Sequence, residues 1–222
     1  MKISSETLTI LKNFCQINQS IVVEEGNVLK TISPMKNILA RADVLETFPR
    51  KFAIYELNEF LGGLSLFKDP DFDFAEQSYV QIKDGRSKVK YFFSDPSVIS
   101  SAPEKDIELP TVDVEFDLST ETLNTLLRAA GVYNLDDLSL VGENGKMQLV
   151  VCDNKNDTSN NYCIEVGDTT STFKFNFKVE NLKILPGDYK VSMCSKGISL
   201  FQNTRIDLKY WIALEPGTEF EQ

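Results

Sequence analysis

Histidine is missing from all 222 residues. That absence removes the commonest general base, the commonest metal ligand and every Ser-His or Cys-His nucleophile arrangement. The phosphate-cradling GxxxxGK(S/T) and GxGxxG loops and the DxDxDG calcium loop are missing as well. No apolar run approaches about 18 residues, and Met1 to Phe14 has neither a continuous apolar core nor a cleavage-site pattern, so neither a membrane span nor export is expected. Cys15, Cys152, Cys163 and Cys194 form no CxxC pair. They read as reduced core thiols in a cytosolic compartment, and no metal or other cofactor is expected. Cations are scarce too: 23 Lys and Arg face 33 Asp and Glu, a formal charge of −10. A protein that holds DNA by neutralising phosphates needs a net basic face. The chain is therefore an acidic interaction module, or it acts on DNA by geometry rather than affinity.

What is present is an internal echo. Residues 4–12 (SSETLTILK) and 119–127 (STETLNTLL) match at five of nine positions with an offset of 115. Each is followed by a strand, a Gly turn and a second strand. Between the halves lies Ser94 to Pro110 (SDPSVISSAPEKDIELP), whose prolines 96, 103 and 110 exclude both a helix and a central strand. A stretch of that length is a tether or a binding segment. The expected organisation is a domain over 1–93, a connector over 94–110 and a similar domain over 111–222.

In the first half, Ser4 or Ser5 caps a helix with Leu8, Ile10, Leu11, Phe14, Cys15 and Ile17 on one side and Thr9, Lys12, Asn13 and Gln16 on the other. Strands are expected at 20–24, 27–32, 38–44 and 51–55. A short helix over 56–61 should be stopped by Gly62-Gly63, with a return to strand at 64–67. A hairpin over 78–93 turns at Asp84-Gly85. The second half repeats the grammar: a helix over 119–130, strands near 136–142, 146–152, 161–166 and 173–178, a second short helix over 179–185, and strands near 188–194, 198–202 and 206–213. Asn124 and Arg128 stand where Thr9 and Asn13 stand, and Lys183 adds a cation from the second short helix. The fold class is α+β, two similar domains each with antiparallel sheets and two short helices. The carboxylates Asp69, Asp71 and Asp73, or Asp136 and Asp137, are the places to look for hydrolytic chemistry; a solvated acidic loop is the simpler reading.

The order of these residues resembles a known family. Leu11-Lys12-Asn13-Phe14 with Ile17-Asn18, then Ile54-Tyr55-x-Leu57-Asn58-x-Phe60-Leu61-Gly62-x-Leu64-Ser65-Leu66, then Asp95-Pro96-Ser97, are similar to the DNA polymerase sliding clamps of tailed bacteriophages. The likeness continues more sparsely through Phe175-Asn176-Phe177, Pro186-Gly187-x-Tyr189-Lys190 and Ile212-Ala213-Leu214-Glu215. The resemblance implies a non-enzymatic processivity factor of DNA-clamp fold in the cytoplasm of an infected bacterium. Two-domain subunits would close as a head-to-tail homotrimer around duplex DNA, with helices lining the hole. Such a trapped protein needs no affinity for DNA, which accounts for the acidic body. By carry-over, Thr9, Lys12, Asn13, Gln16, Asn124, Arg128 and Lys183 face the DNA. A pocket of Ile107, Leu109, Pro110, Trp211 and Ala213 takes the C-terminal peptide of the replicative polymerase. A clamp loader is implied as a partner, and late-transcription factors are candidates because relatives assist late viral transcription. Ring closure would join the strand carrying Lys88, Val89, Tyr91 and Phe93 to the next subunit's strand carrying Tyr162, Ile164 and Val166, removing two aggregation-prone edges. The alternatives are a monomeric acidic β-rich interaction module without a DNA role and a histidine-free carboxylate hydrolase.

Overall fold

A computed structural model describes residues 1–156 and 158–221 of the chain. It divides into two compact units, Met1–Lys105 and Asp106–Gln222, taken here one at a time.

Unit 1 begins with α1 (Ser5–Ile17), whose first turn is satisfied twice over. The Ser4 hydroxyl accepts from the Thr7 amide at 3.2 Å. The Glu46 carboxylate accepts from the Ser4 amide and the Thr7 hydroxyl, placing an anion at the positive end of the helix. Ile10, Leu11, Phe14 and Ile17 are buried, each contributing about 1.5–3 kcal/mol of transfer free energy. Strands β1 (Ile21–Val23), β2 (Gly26–Ile32), β3 (Ile38–Phe48) and β4 (Phe52–Ile54) follow. The ladders are β1 with β4 and β2 with β3, so the strands either side of the first Gly turn do not pair with each other as a hairpin would.

The second helix, α2 (Leu57–Leu64), runs through Gly62-Gly63 instead of ending there. Leu57, Phe60 and Leu64 are all buried, and that helical spacing carries the helix through the glycines to Leu64. The strand expected at 64–67 is absent for the same reason. Strands β5 (Asp71–Asp73), β6 (Tyr79–Asp84) and β7 (Ser87–Phe92) form a separate antiparallel sheet in that order. Its hairpin turns on Gly85 and Arg86, one residue later than expected, with Gly85 in the left-handed region.

Unit 2 contains β8 (Val114–Leu118), α3 (Thr120–Tyr133), β9 (Asp137–Glu143), β10 (Lys146–Cys152), β11 (Tyr162–Asp168), β12 (Thr172–Lys178), β13 (Tyr189–Cys194), β14 (Ile198–Asn203), β15 (Leu208–Ala213) and β16 (Glu219–Glu221). One sheet runs β11-β10-β9-β12-β16, and β15-β14-β13-β8 are consecutive neighbours in another. The two faces meet where Phe177 packs edge-on to Phe201 at 6.0 Å, and α3 lies against β10 and β11. The second short helix expected over 179–185 reduces to one 3-10 turn, Val179–Asn181. Leu182 and Ile184 are both buried, a period of two that extended chain satisfies and a helix does not.

The echo between the halves extends to the helix starts. Ser119 stands 115 residues after Ser4 and caps α3 through the Thr122 amide at 3.1 Å, as Ser4 caps α1. A carboxylate again holds the first turn: Asp188 accepts from the Thr120 amide and hydroxyl at 2.8 and 2.9 Å.

Candidate DNA-facing, partner-binding and interface sites

In unit 1, Thr9, Lys12 and Gln16 form one exposed stripe on α1. Asn13 does not join it: the side chain is only 5% exposed. At 100° per residue Asn13 lies about 70° from the middle of that stripe, on the flank that closes against the core. The exposed residues of α2 are Asn58, Glu59 and Gly62, with no cation. In unit 2, α3 exposes Asn124 and Arg128, whereas the counterparts of Lys12 and Gln16 are Leu127 and Gly131. The two cations of the pair therefore occupy different helical positions. Lys183 is exposed but stands in irregular chain beyond the 3-10 turn, so it is not a helix residue.

Of the proposed peptide residues, Trp211 and Ala213 stand at one corner of the unit 2 sheet, and Ile107, Leu109 and Pro110 precede the point where the chain reaches it. The outward rows of β13, β14 and β15 read Cys194-Ile198-Ala213 and Ser192-Leu200-Trp211 by register. The connector arrives at this corner: Thr111 Oγ1 contacts Cys194 Sγ at 3.3 Å and the Asp113 amide donates to Met193 O at 2.9 Å. Leu109 is half-buried, Pro110 exposed, Ile107 37% exposed and Ala213 half-buried. Trp211 is buried, and its indole N–H has no acceptor among the described residues. Leu200 and Ile198 are half-exposed members of the same rows, and sequence reasoning passed over them; their alternation with buried Ser199 and Phe201 was the available signal.

Earlier in the connector the chain is fastened to unit 1. Ile99 is buried, the Asn18 amide donates to Ser100 O at 3.4 Å, and Lys30 Nζ donates to Glu104 O at 2.8 Å. Residues 94–105 are thus laid along the domain rather than slack.

Both strands named for ring closure lie at sheet edges. Among the described residues, β7 pairs only with β6, and β11 only with β10. Val89 and Tyr91 lie opposite the buried Ile82 and Val80, so they share the core-facing side. Tyr91 also packs edge-on to Phe60 at 5.0 Å. Phe93 lies just past the strand end, stacked on Phe52 at 5.0 Å. On β11, Tyr162 and Ile164 lie opposite the buried Val151 and Leu149. Val166 falls at a register shift between Met147 and Gln148, an extra residue without a ladder partner. Cys163 is exposed, so not every thiol is a core residue.

The acidic clusters are bound up in ion pairs. Asp69 pairs with Lys2, Asp71 with the Met1 amine at 2.6 Å and Asp73 with Lys83 at 3.4 Å. The amine and the Ala75 amide hold the Asp71 and Asp73 carboxyls, respectively, below the usual carboxylate range. Buried Asp137 pairs with Lys178 and accepts from the Asn154 amide at 2.9 Å. These carboxylates are structural counter-ions. No group of three or more His, Cys, Asp or Glu among the described residues is arranged to hold a metal, and no helix among them is long and apolar enough to cross a membrane.

Residues 4–101 match the family model described as DNA polymerase processivity factor, and residues 115–216 match the one described as gp45 sliding clamp, C terminal. A sliding clamp of Vibrio phage KVP40 is 35% identical, covering 97% of this chain and 99% of its own. The chain belongs to the sliding clamp family. The sliding clamp of Enterobacteria phage T4 is 32% identical over 89% of each chain. Among solved structures, A. fulgidus PCNA bound to the C-terminal region of FEN-1 aligns with a TM-score of 0.70 at 12% identity, over 96% of each chain, which shows the clamp fold. The monomeric interaction-module reading is not favoured by these matches.

Proposed function

We propose that this processivity factor closes into a head-to-tail homotrimer by joining β7 of each subunit to β11 of the next, and that the ring encircles duplex DNA. The observation that carries the reading is the pair of open edge strands, one in each unit. Each has an apolar core-facing row that a partner strand would complete, and each would be an aggregation hazard if left bare. A heterologous contact of this kind makes a ring when its rotation closes.

The DNA-facing set is Thr9, Lys12, Gln16, Asn124, Arg128 and Lys183. With so few cations the lining attracts phosphate weakly, which suits sliding on a topologically trapped ring. The replicative polymerase docks through its C-terminal peptide on the outward rows of β13–β15 beneath the connector, with Ile107, Leu109, Pro110, Trp211 and Ala213 at the lip. The neighbouring archaeal clamp that carries another protein's C-terminal region supports this mode. A clamp loader opens and closes the ring, late-transcription factors use the same docking face, and the protein works without catalysis or cofactor in the cytoplasm of the infected bacterial host. Sedimentation equilibrium tests the assembly. A species near three times 25.1 kDa is expected; a monomer at every concentration and salt would overturn the ring.

A further inference from the structure

The hairpin β6–β7 is a basic island in an acidic chain. Lys83, Arg86, Lys88 and Lys90 fall within eight residues, in a protein of formal charge −10. On the side of β7 away from the core, Lys88 lies directly opposite Lys83, a like-charge pair that costs stability within one subunit. Lys83 is relieved by Asp73 at 3.4 Å, and Lys90 lies over the Tyr79 ring at 4.6 Å. Lys88 makes no ion pair among the described residues and stands on the open edge.

The edge strand β11 carries the opposite imbalance. Glu165 and Asp168 share the single ammonium of Lys146, at 2.7 and 2.9 Å, so two carboxylates face one cation. No cation lies between residues 162 and 168. The bulge at Val166 limits regular edge pairing to Tyr162–Glu165.

We propose that an ion pair from Lys88 to Glu165 of the next copy sets the register of ring closure. This rests on the edge-to-edge ring proposed above. An antiparallel alignment with Lys88 opposite Glu165 sets Val89 against Ile164, Lys90 against Cys163 and Tyr91 against Tyr162. Apolar side chains then meet on the core side of the joined sheet, and cation meets anion on the other. A slip of one residue would put Lys88 among the apolar row and turn Val89 outward. A slip of two residues towards the bulge would set Val89 against the unpaired Val166 and break the Val89–Ile164 match. The alternating pattern on both strands therefore selects one alignment.

Two experiments test it. Lys88→Glu and Glu165→Lys should each weaken association at least about tenfold, and the double variant should recover it, because like charges across an interface are strongly disfavoured. Mixing the two single variants should recover dimers but not trimers: a head-to-tail ring of three cannot alternate two kinds of subunit, so one like-charged junction always remains. Separately, Lys90→Cys should form an oxidative cross-link to the native Cys163 of its neighbour. Directly opposed residues have Cα atoms about 4.5–5.5 Å apart, inside the disulfide range. Cys163→Ser should abolish that cross-link. An intact trimer that gives no cross-link, or a double variant no better than either single one, would overturn the register. A wild type that never assembles would instead overturn the ring reading itself.

Discussion

Replacing Glu46 by Gln should loosen the first turn of α1, and with it the platform that presents Thr9, Lys12 and Gln16. The carboxylate accepts from the Ser4 amide and the Thr7 hydroxyl and faces the helix N-terminus. Burial alone would push its pKa up, but the hydrogen bonds from Thr7 and Ser4 outweigh that and hold it below the usual glutamate value of 4.5. Hydrogen bonds to a charged group are worth about 1.5–3 kcal/mol and the helix-end charge about 0.3–1 kcal/mol. Glu46 is only half-buried, so solvent screening reduces the sum to roughly 1–2 kcal/mol. For a chain of this size that is a fall in Tm of several degrees, at about 2–4 °C per kcal/mol. The sign with pH follows from the lowered value. The contribution is complete above the unfolded-state pKa and is lost as pH falls through the folded-state pKa. Urea titrations of wild type and Glu46→Gln should therefore differ at neutral pH and converge in acid, as pH falls from the unfolded-state pKa through the lower folded-state one. A gap that stays constant down to that range would refute the charge-based account and leave a packing effect in its place.

Lys12→Glu, Arg128→Glu and Lys183→Glu together should impair loading and processive synthesis while each shifts stability by no more than about 0.5 kcal/mol, since all three side chains are exposed; loading unchanged at every salt concentration would remove their DNA-facing role. Leu109→Asp should weaken the polymerase C-terminal peptide at least about tenfold in calorimetric titration, the size expected when an apolar anchor site acquires a charge. The ring should survive that change, and its loss in sedimentation would make residue 109 structural rather than a docking position.

Much of this architecture was legible because strand and helix periods are explicit in the chain. The core face of α1 and the alternation in β6, β7 and β9–β15 follow from spacing. The failures have local causes. Asn13 was assigned by polarity, yet its angular position puts it on the closing flank of α1, and the amide is buried. Gly62-Gly63 was read as a stop, although Leu57, Phe60 and Leu64 continue the helical stripe across it. Strand β8 was missed despite the clean alternation of Val114, Phe116 and Leu118, and β5 was hidden by reading Asp71-Phe72-Asp73 as an acidic loop although Phe72 is buried. The edge positions of β7 and β11 were not readable from either strand alone, because an edge is defined by the neighbour a strand lacks. The like-charge pairing of Lys83 with Lys88 needed the register.

The most direct measurement is retention on circular against linear DNA. After loading by the cognate loader onto a nicked circular duplex, the protein should stay bound through a salt wash that strips phosphate-bound proteins. It should then be released when one cut linearises the circle. Equal retention on both forms, or loss from the circle at the same salt, would contradict a topological hold on DNA.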